Sequence, residues 1–333
     1  MEVKPYSSPN AIQESIFATK EYLSALSNEF CWIGGYLDGV CVCYIAFVIK
    51  HRLIFRYLAF QNSIVAIGNG YHPDMEKNFL ESTVAYFATK KIDFIVQPPT
   101  NVLFNSYPEK SAHIPFGSYV IDLEKSDDEL WKNVHSKHRN VIRNAEKNGV
   151  VIHHSPEELN EAYAMISNTM RRDSRLFIEW EAFRAIVEAF AGGVEIFIAR
   201  KDDKIQGAAV FPHDDRRAYY LWGGSIEKPF SGAMNYLHWK AILHFKETGL
   251  TEYDLVGARL MTAAGSRLEG IQRFKERFGG VLRTGYLWRY VYNPFKWELY
   301  HFLLRLRARS FYVDIIDQES RNRRAYEKNS IDI

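Results

Sequence analysis

The sequence predicts an α/β (α+β) protein that consists of two similar domains. The first observation is a repeat, in which a hairpin, a strand, a helix and a further strand occur twice, roughly 160 residues apart. The second is the length, because 333 residues suffice for two domains of ordinary size. The third is the composition, with 47% hydrophobic and 25% charged residues, which is typical of a soluble globular protein.

The first copy of the repeat begins with a hairpin. Asp38-Gly39 lies between two apolar runs, and this dipeptide is a strong local signal for a tight hairpin turn. The elements predicted in this half are a short helix at 11–29, the hairpin at 32–49, a strand at 53–60, a helix at 74–90, and strands at 92–97 and 116–123.

The second copy has its hairpin at 194–211, with the turn at 201–204. A strand at 218–222, a helix at 231–246 and a strand at 252–256 follow it. We therefore expect each domain to contain a mixed, mostly antiparallel sheet flanked by helices.

The segment that joins the two copies carries helices and positive charge. Ser126 and Glu129 form a capping box, and the apolar periodicity after them predicts one helix as far as Asn148, with His138 in its buried arc as a core histidine. Further helices are predicted at 157–171 and 179–191. A basic stripe lies on the opposite side of the first helix: Lys132, Arg139, Arg143 and Lys147. A solvated face explains such a stripe, and the alternative is phosphate recognition, which suits the planar guanidinium group.

Residues 251–292 are the stretch around which the chain is organised. They predict a strand that ends at Gly257, a helix at 266–278 and a strand at 281–292. Four residues form the apolar arc of this helix: Leu268, Ile271, Phe274 and Phe278. Lys275 projects from the same arc. Because an unpaired buried charge is costly, Lys275 either reaches the edge of the core, pairs with a carboxylate, or faces negative charge that develops in a cleft.

Charge and cysteine content restrict the classes of partner and compartment. The formal net charge is only +2, so we expect no DNA partner, and any basic site must be local. Cys31, Cys41 and Cys43 lack the spacing of metal ligands, so no metal site is predicted. We find neither a signal-peptide pattern nor an apolar run of about 18 residues, and expect a reduced, cytoplasmic setting.

Five stretches of the sequence form an ordered set of motifs. They are Arg-x-x-Ile-Arg-x-Ala-x-x-x-Gly at 139–149, Tyr-Leu-Trp-Gly-Gly-Ser at 220–225, Asn-Tyr-Leu-His-Trp-Lys-Ala-Ile at 235–242, Gly-Leu-Thr-Glu-Tyr-Asp-Leu at 249–255, and Phe-Lys-x-x-Phe-Gly at 274–279. In this order and spacing they resemble the FemABX-like family over about residues 115–285. The first hundred residues fit this family only by their pattern of elements.

The resemblance implies two tandem domains of the GNAT acyltransferase fold. We expect a first GNAT-like domain at 1–123, a second at 124–292 that carries the motifs, and a helical tail at 293–333 that packs back on them. Members of the family transfer an aminoacyl group from charged tRNA to an amine of a cell-wall precursor. Related proteins of this size are general N-acyltransferases, some of which use acyl-CoA.

The resemblance also implies roles for individual residues. Lys275 matches the motif lysine thought to stabilise the oxyanion of acyl transfer. No Ser/His/Asp or Cys/His set is evident from spacing, so we expect direct attack by the amine and no covalent acyl-enzyme. The expected substrate-binding residues are Arg139 and Arg143 for a phosphate, Tyr220, Trp222 and Tyr253 for the acyl group, Asp254 for the acceptor amine or its proton, and Phe274 beside Lys275. The alternative for the aromatic residues is a place in the core.

The donor stays open between aminoacyl-tRNA and acyl-CoA, and no tightly bound cofactor is expected. The long coiled-coil arm that contacts tRNA in many peptidoglycan enzymes is absent from the sequence pattern. The Arg/Gln-x-x-Gly-x-Gly/Ala loop of CoA-dependent GNAT enzymes has no match either. The alternatives to aminoacyl transfer are a CoA-dependent N-acyltransferase acting on an amino sugar or amino acid, and a non-catalytic binding protein of the same fold.

The tail begins with an aromatic, basic helix at 294–309. Packing on the protein's own domains is one interpretation. The other is contact with the inner face of a membrane, which would suit a lipid-linked acceptor rather than a small-molecule amine. Residues from about 318 onward are highly charged, and we expect them to be frayed.

Overall fold

The structure, a computed structural model, describes residues 1–7, 15–173, 175–262, 265–308 and 314–322. The chain packs into two compact units, and both are discontinuous in sequence. Unit 1 comprises Met1–Gly117, Gly257–Glu269 and Thr284–Ile333, and unit 2 comprises Ser118–Val256 and Gly270–Arg283. The domain bounds given above, at 123 and 292, stay a prediction.

The secondary structure begins with an N-terminal group of strands and two helices. In chain order its elements are β1 (Glu2–Tyr6), α1 (Lys20–Leu26), β2 (Glu29–Leu37), β3 (Val40–Arg52), β4 (Phe55–Phe60), β5 (Val65–Ala66), α2 (Glu76–Ala88), β6 (Phe94–Ile95) and β7 (Ala112–Asp122). The helix predicted at 11–29 is much shorter, because Ile16–Ala18 form a 3₁₀ turn, Thr19 is the extended N-cap of α1, and β2 already begins at Glu29. Residues 11–14 of that prediction lie outside the described residues.

The remaining elements follow the predicted order of the second half. They are α3 (Asp127–Asn133), α4 (Ser136–Lys147), β8 (Val150–His154), α5 (Leu159–Arg172), α6 (Trp180–Glu188), β9 (Val194–Lys201), β10 (Lys204–Pro212), β11 (Arg217–Tyr219), β12 (Trp222–Ser225), α7 (Ala233–Glu247), β13 (Glu252–Asp254), α8 (Arg267–Glu276), β14 (Val281–Val291) and α9 (Pro294–Ala308). A short helix at 315–322 ends the described chain.

Sheet pairing confirms the predicted fold class and the repeat. In unit 1 the strand order is β1-β2-β3-β4-β6-β14, and β4 and β6 are parallel while the hairpin strands are antiparallel. In unit 2 β12-β10-β9-β8 form an antiparallel sheet, and β11 runs parallel to β13, which is antiparallel to β7. Each unit thus has a hairpin, a strand, a crossover helix and a parallel strand, in that order.

Both predicted hairpins are present, and their turns have the same backbone geometry. Asp38 and Gly39 have φ angles of 48° and 82°, and Asp202 and Asp203 have φ angles of 48° and 58°. Two consecutive positive φ angles characterise the type I′ turn, whose twist matches that of the flanking strands. Local turn chemistry therefore determines where both hairpins reverse.

The helix predicted from Ser126 to Asn148 is wrong in one respect, because it is two helices. The capping box of Ser126 and Glu129 is confirmed at the start of α3. Val134 is extended, and His135 becomes the N-cap of α4 by accepting a hydrogen bond from Lys137 N–H. The backbone N–H of His135 donates to the carbonyl oxygen of Arg277 at 2.8 Å. A partner far along the chain thus stabilises the break, and helical periodicity does not reveal such a partner.

The cores of the two units are rich in aromatic residues. Core residues of unit 2 come from both faces of α7, which is buried at Leu237, His238 and Ala241. Cys43 lies in the core of unit 1, while Cys41 is half-buried. Within the described part of the chain, no helix combines the length and hydropathy needed to cross a bilayer.

We expect substitution of Gly39 by alanine to lower the free energy of unfolding by about 1 kcal/mol. The reason is its positive φ angle, since L-residues pay roughly 1–2 kcal/mol for left-handed backbone. Space is not limiting, because an added methyl group meets nothing within 4 Å. Urea unfolding measures the change.

Gly270→Ala is the matched control for this prediction. Gly270 lies within α8, where an added methyl group also meets nothing within 4 Å. The same change there should raise the free energy of unfolding by roughly 0.5–1 kcal/mol, because alanine favours helix. Equal effects of the two substitutions would contradict the conformational argument.

Candidate active site

The most buried side chain of α8 is a lysine. Lys275 is 9% exposed, whereas Ile271, predicted to lie in the apolar arc, is 38% exposed. The ammonium group of Lys275 donates a hydrogen bond to the backbone carbonyl of Val256. The expected burial of Ile271 with the apolar arc is therefore wrong. The helix turns Lys275 inward because the Val256 carbonyl accepts its hydrogen bond there.

Asp254, at the end of β13, lies next to this contact and is 4% exposed. Its Oδ1 accepts hydrogen bonds from the hydroxyl group of Ser118 and, at 2.8 Å, from the backbone N–H of Val256. Arg217 Nη1 lies 3.6 Å from its Oδ2. Burial raises the pKa of Asp254, and the charge of Arg217 and the Ser118 hydroxyl oppose that rise. Several donors therefore hold this carboxyl group in place.

Val256 adopts an unusual backbone conformation between these two side chains. Its φ angle is +45°, although a β-branched residue rarely has a positive φ. Asp254 accepts from its N–H and Lys275 donates to its carbonyl. Strained residues persist only where the surroundings fix them, and they concentrate at functional sites. The two charged groups thus fix both polar atoms of one strained peptide segment.

Burial changes the proton affinity of Lys275. It lowers the pKa of Lys275 to about 8, while the nearby carboxylate of Asp254 opposes the decrease. At pH 7 the group is therefore mostly an ammonium ion, but one that loses its proton in the mildly alkaline range. Such a group can donate strong hydrogen bonds to an oxygen that acquires negative charge.

A buried histidine brings three of the predicted aromatic residues together. His238 Nδ1 lies 2.6 Å from the hydroxyl oxygen of Tyr253, and its ring centre lies 4.4 Å from that of Tyr220 and 5.4 Å from that of Phe274. Burial and the charge of Lys275 lower the pKa of His238 to about 3, so the ring is neutral. Tyr220, Tyr253 and Phe274 therefore surround one neutral imidazole close to the lysine.

The strand predicted at 218–222 divides at this point. Tyr220 N–H donates to the carbonyl oxygen of Asp254 at 2.8 Å, so the chain still follows β13 there. From Trp222 onward it pairs instead with β10, beginning with the Trp222–Val210 pair. The two halves therefore belong to two sheets, and the strand opens beside Tyr220.

The structure does not bring all predicted site residues together. Trp222 packs in a separate cluster with Phe183, at a ring separation of 5.2 Å. Arg139 Nη1 donates to the carbonyl oxygens of Lys132 and Val134, at 2.8 and 2.6 Å, and so caps the end of α3. Arg143 is exposed, with its guanidinium 5.2 Å from the ring centre of Trp131. One arginine is thus engaged in the fold, and the other faces solvent.

Sequence reasoning missed four contributors to this site: Ser118, Arg217, His238 and Val256. A signal existed for His238 alone, which lies within the matched stretch 235–242. The other three act through positions that only the folded sheet brings next to Asp254.

Comparison with known proteins identifies the class. Residues 132–276 match the family model described as an acetyltransferase (GNAT) domain. The crystal structure of FemX is similar to this fold with a TM-score of 0.63 and 16% identity, covering 90% of this chain and 99% of FemX. A conserved protein of unknown function from Bacteroides thetaiotaomicron has a TM-score of 0.50 and 11% identity, covering 85% of this chain and 92% of its own. No curated protein sequence matches.

The protein is an acyltransferase with a GNAT domain at residues 132–276. More particularly, it has the FemABX-like fold that the sequence motifs predicted.

We expect Lys275→Met to leave the protein folded and at least as stable at pH 7. The lowered pKa means that burying the ammonium costs roughly 3–4 kcal/mol of folding free energy while the group is charged. Between about pH 8 and pH 10.5 the unfolded chain keeps this proton and the folded chain does not. Wild-type stability should therefore rise across that range relative to the variant.

Urea unfolding of both proteins at pH 7 and at pH 9.5 measures this difference. Lys147→Met, at an exposed position of α4, is the control and should show no such pH-dependent difference. A Lys275→Met protein that is several kcal/mol less stable at pH 7 would show instead that the buried ammonium and its contacts stabilise the fold.

Proposed function

We propose that the protein transfers an aminoacyl or acyl group to an amine of a cell-wall or cell-surface precursor by direct attack of the amine on the donor carbonyl. Lys275 stabilises the oxyanion that forms. The observation that carries this proposal is the burial of the Lys275 ammonium beside Asp254 and the strained Val256, within a GNAT domain.

The amine nitrogen bonds to the donor carbonyl carbon and gives a tetrahedral intermediate whose oxygen carries negative charge. Collapse of this intermediate breaks the bond to the ester oxygen of the tRNA, or to the thioester sulfur of CoA, and that leaving group takes up the proton that the nitrogen loses. An ammonium in a buried site interacts with that charge more strongly than it would in water. The oxyanion is also a stronger acceptor than the neutral Val256 carbonyl to which Lys275 donates in this structure. The interaction is therefore stronger in the transition state than in the ground state, as catalysis requires.

Asp254 acts in this proposal as a positioning residue. Its carboxyl group already contacts Ser118, Arg217 and the Val256 N–H, which favours this role over proton transfer from the acceptor. It keeps Val256 in its strained conformation and balances the charge of Lys275. Tyr220, Tyr253 and Phe274 supply an apolar wall that lowers the local dielectric constant.

Aminoacyl-tRNA is the donor we favour, because the FemABX-like motifs imply it. GNAT folds commonly use acyl-CoA, and we retain it as the alternative donor. Both donors carry phosphate, and exposed Arg143 on α4, with Lys147 one turn away, offers positive charge for it.

A lipid-linked acceptor is favoured by the surface of α9. Phe295, Phe302 and Leu306 are exposed, at 77%, 55% and 61%. Their spacing places them within one arc of the helix, and Arg305 is exposed beside them. An apolar stripe with adjacent positive charge suits the surface of an anionic membrane. We therefore propose a peripheral position at the cytoplasmic face of the membrane.

Lys275→Met should lower the turnover number about 10²–10³-fold at pH 7, the loss typical of removing one oxyanion donor. The ratio of wild-type to variant rate should then fall as the pH rises through about 8, where Lys275 loses its proton. Ionisation of the acceptor amine changes both rates by the same factor, so its effect cancels in the ratio. Rates are measured with one donor and one acceptor from pH 6.5 to 9.5.

Two further variants make this test specific. Arginine at position 275 keeps its charge at high pH. The ratio of the Lys275→Arg rate to the Lys275→Met rate should therefore not fall as the pH rises through 8. Lys204→Met, at an exposed position of β10, should match the wild type. A ratio that instead rises through pH 8 would make neutral Lys275 a general base, and an unchanged turnover number in folded Lys275→Met would remove Lys275 from the mechanism.

Donor binding separates the aminoacyl proposal from its alternatives. We expect aminoacyl-tRNA to bind with an affinity that falls steeply between low and moderate salt, because phosphate contacts release counterions. Arg143→Ala should reduce the slope of log K against log salt by about 1, whereas Arg184→Ala, at an exposed position of α6, should not. Saturable binding of acetyl-CoA alone would favour the CoA-dependent class, and binding of neither donor would favour the non-catalytic alternative.

A further inference from the structure

Three histidines surround one glutamate near the edge of the four-stranded sheet in unit 2. His154 ends β8, Glu195 lies near the start of β9, and His244 lies in the last turn of α7. His213 directly follows β10. The chain contributes these residues from four separate elements, which explains why no metal-ligand spacing was visible in the sequence.

The polar atoms of this cluster converge. His154 Nε2 lies 2.5 Å from Glu195 Oε2, and His244 Nε2 lies 3.8 Å from Glu195 Oε1. One ligand atom from each of these three residues lies within 4.8 Å of the other two. His213 Nε2 is slightly farther away, 4.0 Å from Glu195 Oε1. Three imidazole nitrogens therefore face one carboxylate.

Neighbouring contacts orient the rings. The His154 ring stacks on Phe197 with a centre separation of 4.5 Å and an angle of 9°. His213 Nδ1 lies 3.3 Å from the carbonyl oxygen of Asp214; when this nitrogen donates, Nε2 keeps its lone pair toward Glu195. Hydrogen bonding of one ring nitrogen to a carbonyl is the usual way in which proteins orient a histidine ligand.

One nitrogen of the cluster lacks a hydrogen bond. His244 Nε2 is buried and has no hydrogen-bond partner among the described residues. Leaving a buried polar atom unsatisfied costs free energy, so such an atom needs an explanation. A cation at the centre of the cluster would provide one.

An ion can reach the cluster from solvent. His154 lies on the surface, and a concavity of about 430 Å³ is lined by His154, His244, Tyr236 and Lys240, among others.

We propose that His154, Glu195 and His244 bind one divalent transition-metal ion, with Zn²⁺ as the favoured ion and His213 as the fourth ligand. Nitrogen and carboxylate ligands in a set of four suit Zn²⁺, which is usually tetrahedral in proteins. With metal–ligand bonds of about 2.0–2.1 Å, ligand atoms of a tetrahedral site lie roughly 3.3–3.5 Å apart. The separations of 2.5, 3.8 and 4.0 Å surround that value, so small side-chain adjustments complete the site.

A second group of potential ligands shows why charge matters here. His301, Asp314 and Asp317 in unit 1 also lie close together. There Arg289 already supplies the cation, at 2.9 Å from Asp314 and 2.7 Å from Asp317. The ion-pair neighbours of Glu195 among the described residues are all imidazoles. No arginine or lysine among them neutralises the carboxylate, so a metal cation can do so.

The test uses the full-length chain, made without a histidine tag and freed of metal by chelation. Calorimetric titration with Zn²⁺ should show one ion per chain, and Co²⁺ should give the visible absorption of a four-coordinate complex. His154→Gln, Glu195→Gln and His244→Gln should each weaken Zn²⁺ binding at least tenfold. A hundredfold excess of Zn²⁺ over its Kd should raise the melting temperature of the wild type by roughly 5 °C.

His153→Gln is the matched control, because His153 precedes His154 on the same strand. Its Nδ1 lies 3.6 Å from Glu158 Oε1 and not beside Glu195. It should bind Zn²⁺ like the wild type. Circular dichroism of the metal-free variants checks their folding, and surface-exposed His154 is the position least able to disturb it. Lack of a stoichiometric site, or binding that the His154 and Glu195 variants leave unchanged, would overturn the proposal.

Discussion

The candidate active site depends on how Asp254 and Lys275 hold Val256. A β-branched residue at positive φ is unfavourable by itself, and a buried ammonium and a buried carboxyl group are each unfavourable as well. Together they satisfy one another, because the carboxyl oxygen accepts from Val256 N–H and the ammonium donates to Val256 C=O. The result is a cation in a fixed position within a buried site. A catalytic cation needs that arrangement, since a preorganised charge needs no reorientation during reaction.

Hydrogen bonding also explains why the strand divides at Tyr220. Up to Tyr220 the chain is held by β13, and from Trp222 it is held by β10. A single strand cannot stay hydrogen-bonded to two diverging partner strands. At the point where it leaves β13 for β10, its side chains therefore no longer alternate regularly between the two faces of one sheet. Tyr220 then lies edge-on to His238, whose neutral ring also contacts Tyr253. The neutrality of His238 follows from its burial beside Lys275, because two neighbouring buried cations would repel each other.

Features that depend on neighbouring residues could be predicted from the sequence, and those that depend on contacts between distant residues could not. The turn at Asp38-Gly39, the capping box at Ser126 and the core position of His138, which packs 4.8 Å from Phe278, each follow from neighbouring residues or helical periodicity. The helix break at His135 depends on Arg277, and Lys275 points inward because Val256 and Asp254 lie there. Periodicity places residues on one arc of a helix but does not tell which of them the core will cover. The helical pattern left the role of Lys275 open, and only the motif resemblance predicted a catalytic one.

Helix α7 connects the two sites proposed for unit 2. His238 lies beside Lys275, and His244, six residues later and about 9 Å along the helix axis, faces Glu195. A metal ion bound at His244 would join the end of α7 to β8 and β9. Because packed interiors transmit small displacements, this cross-link would also restrict the position of His238 and of the aromatic residues around it. The metal would then act on catalysis through geometry, at a distance from the reacting atoms, and not as a Lewis acid.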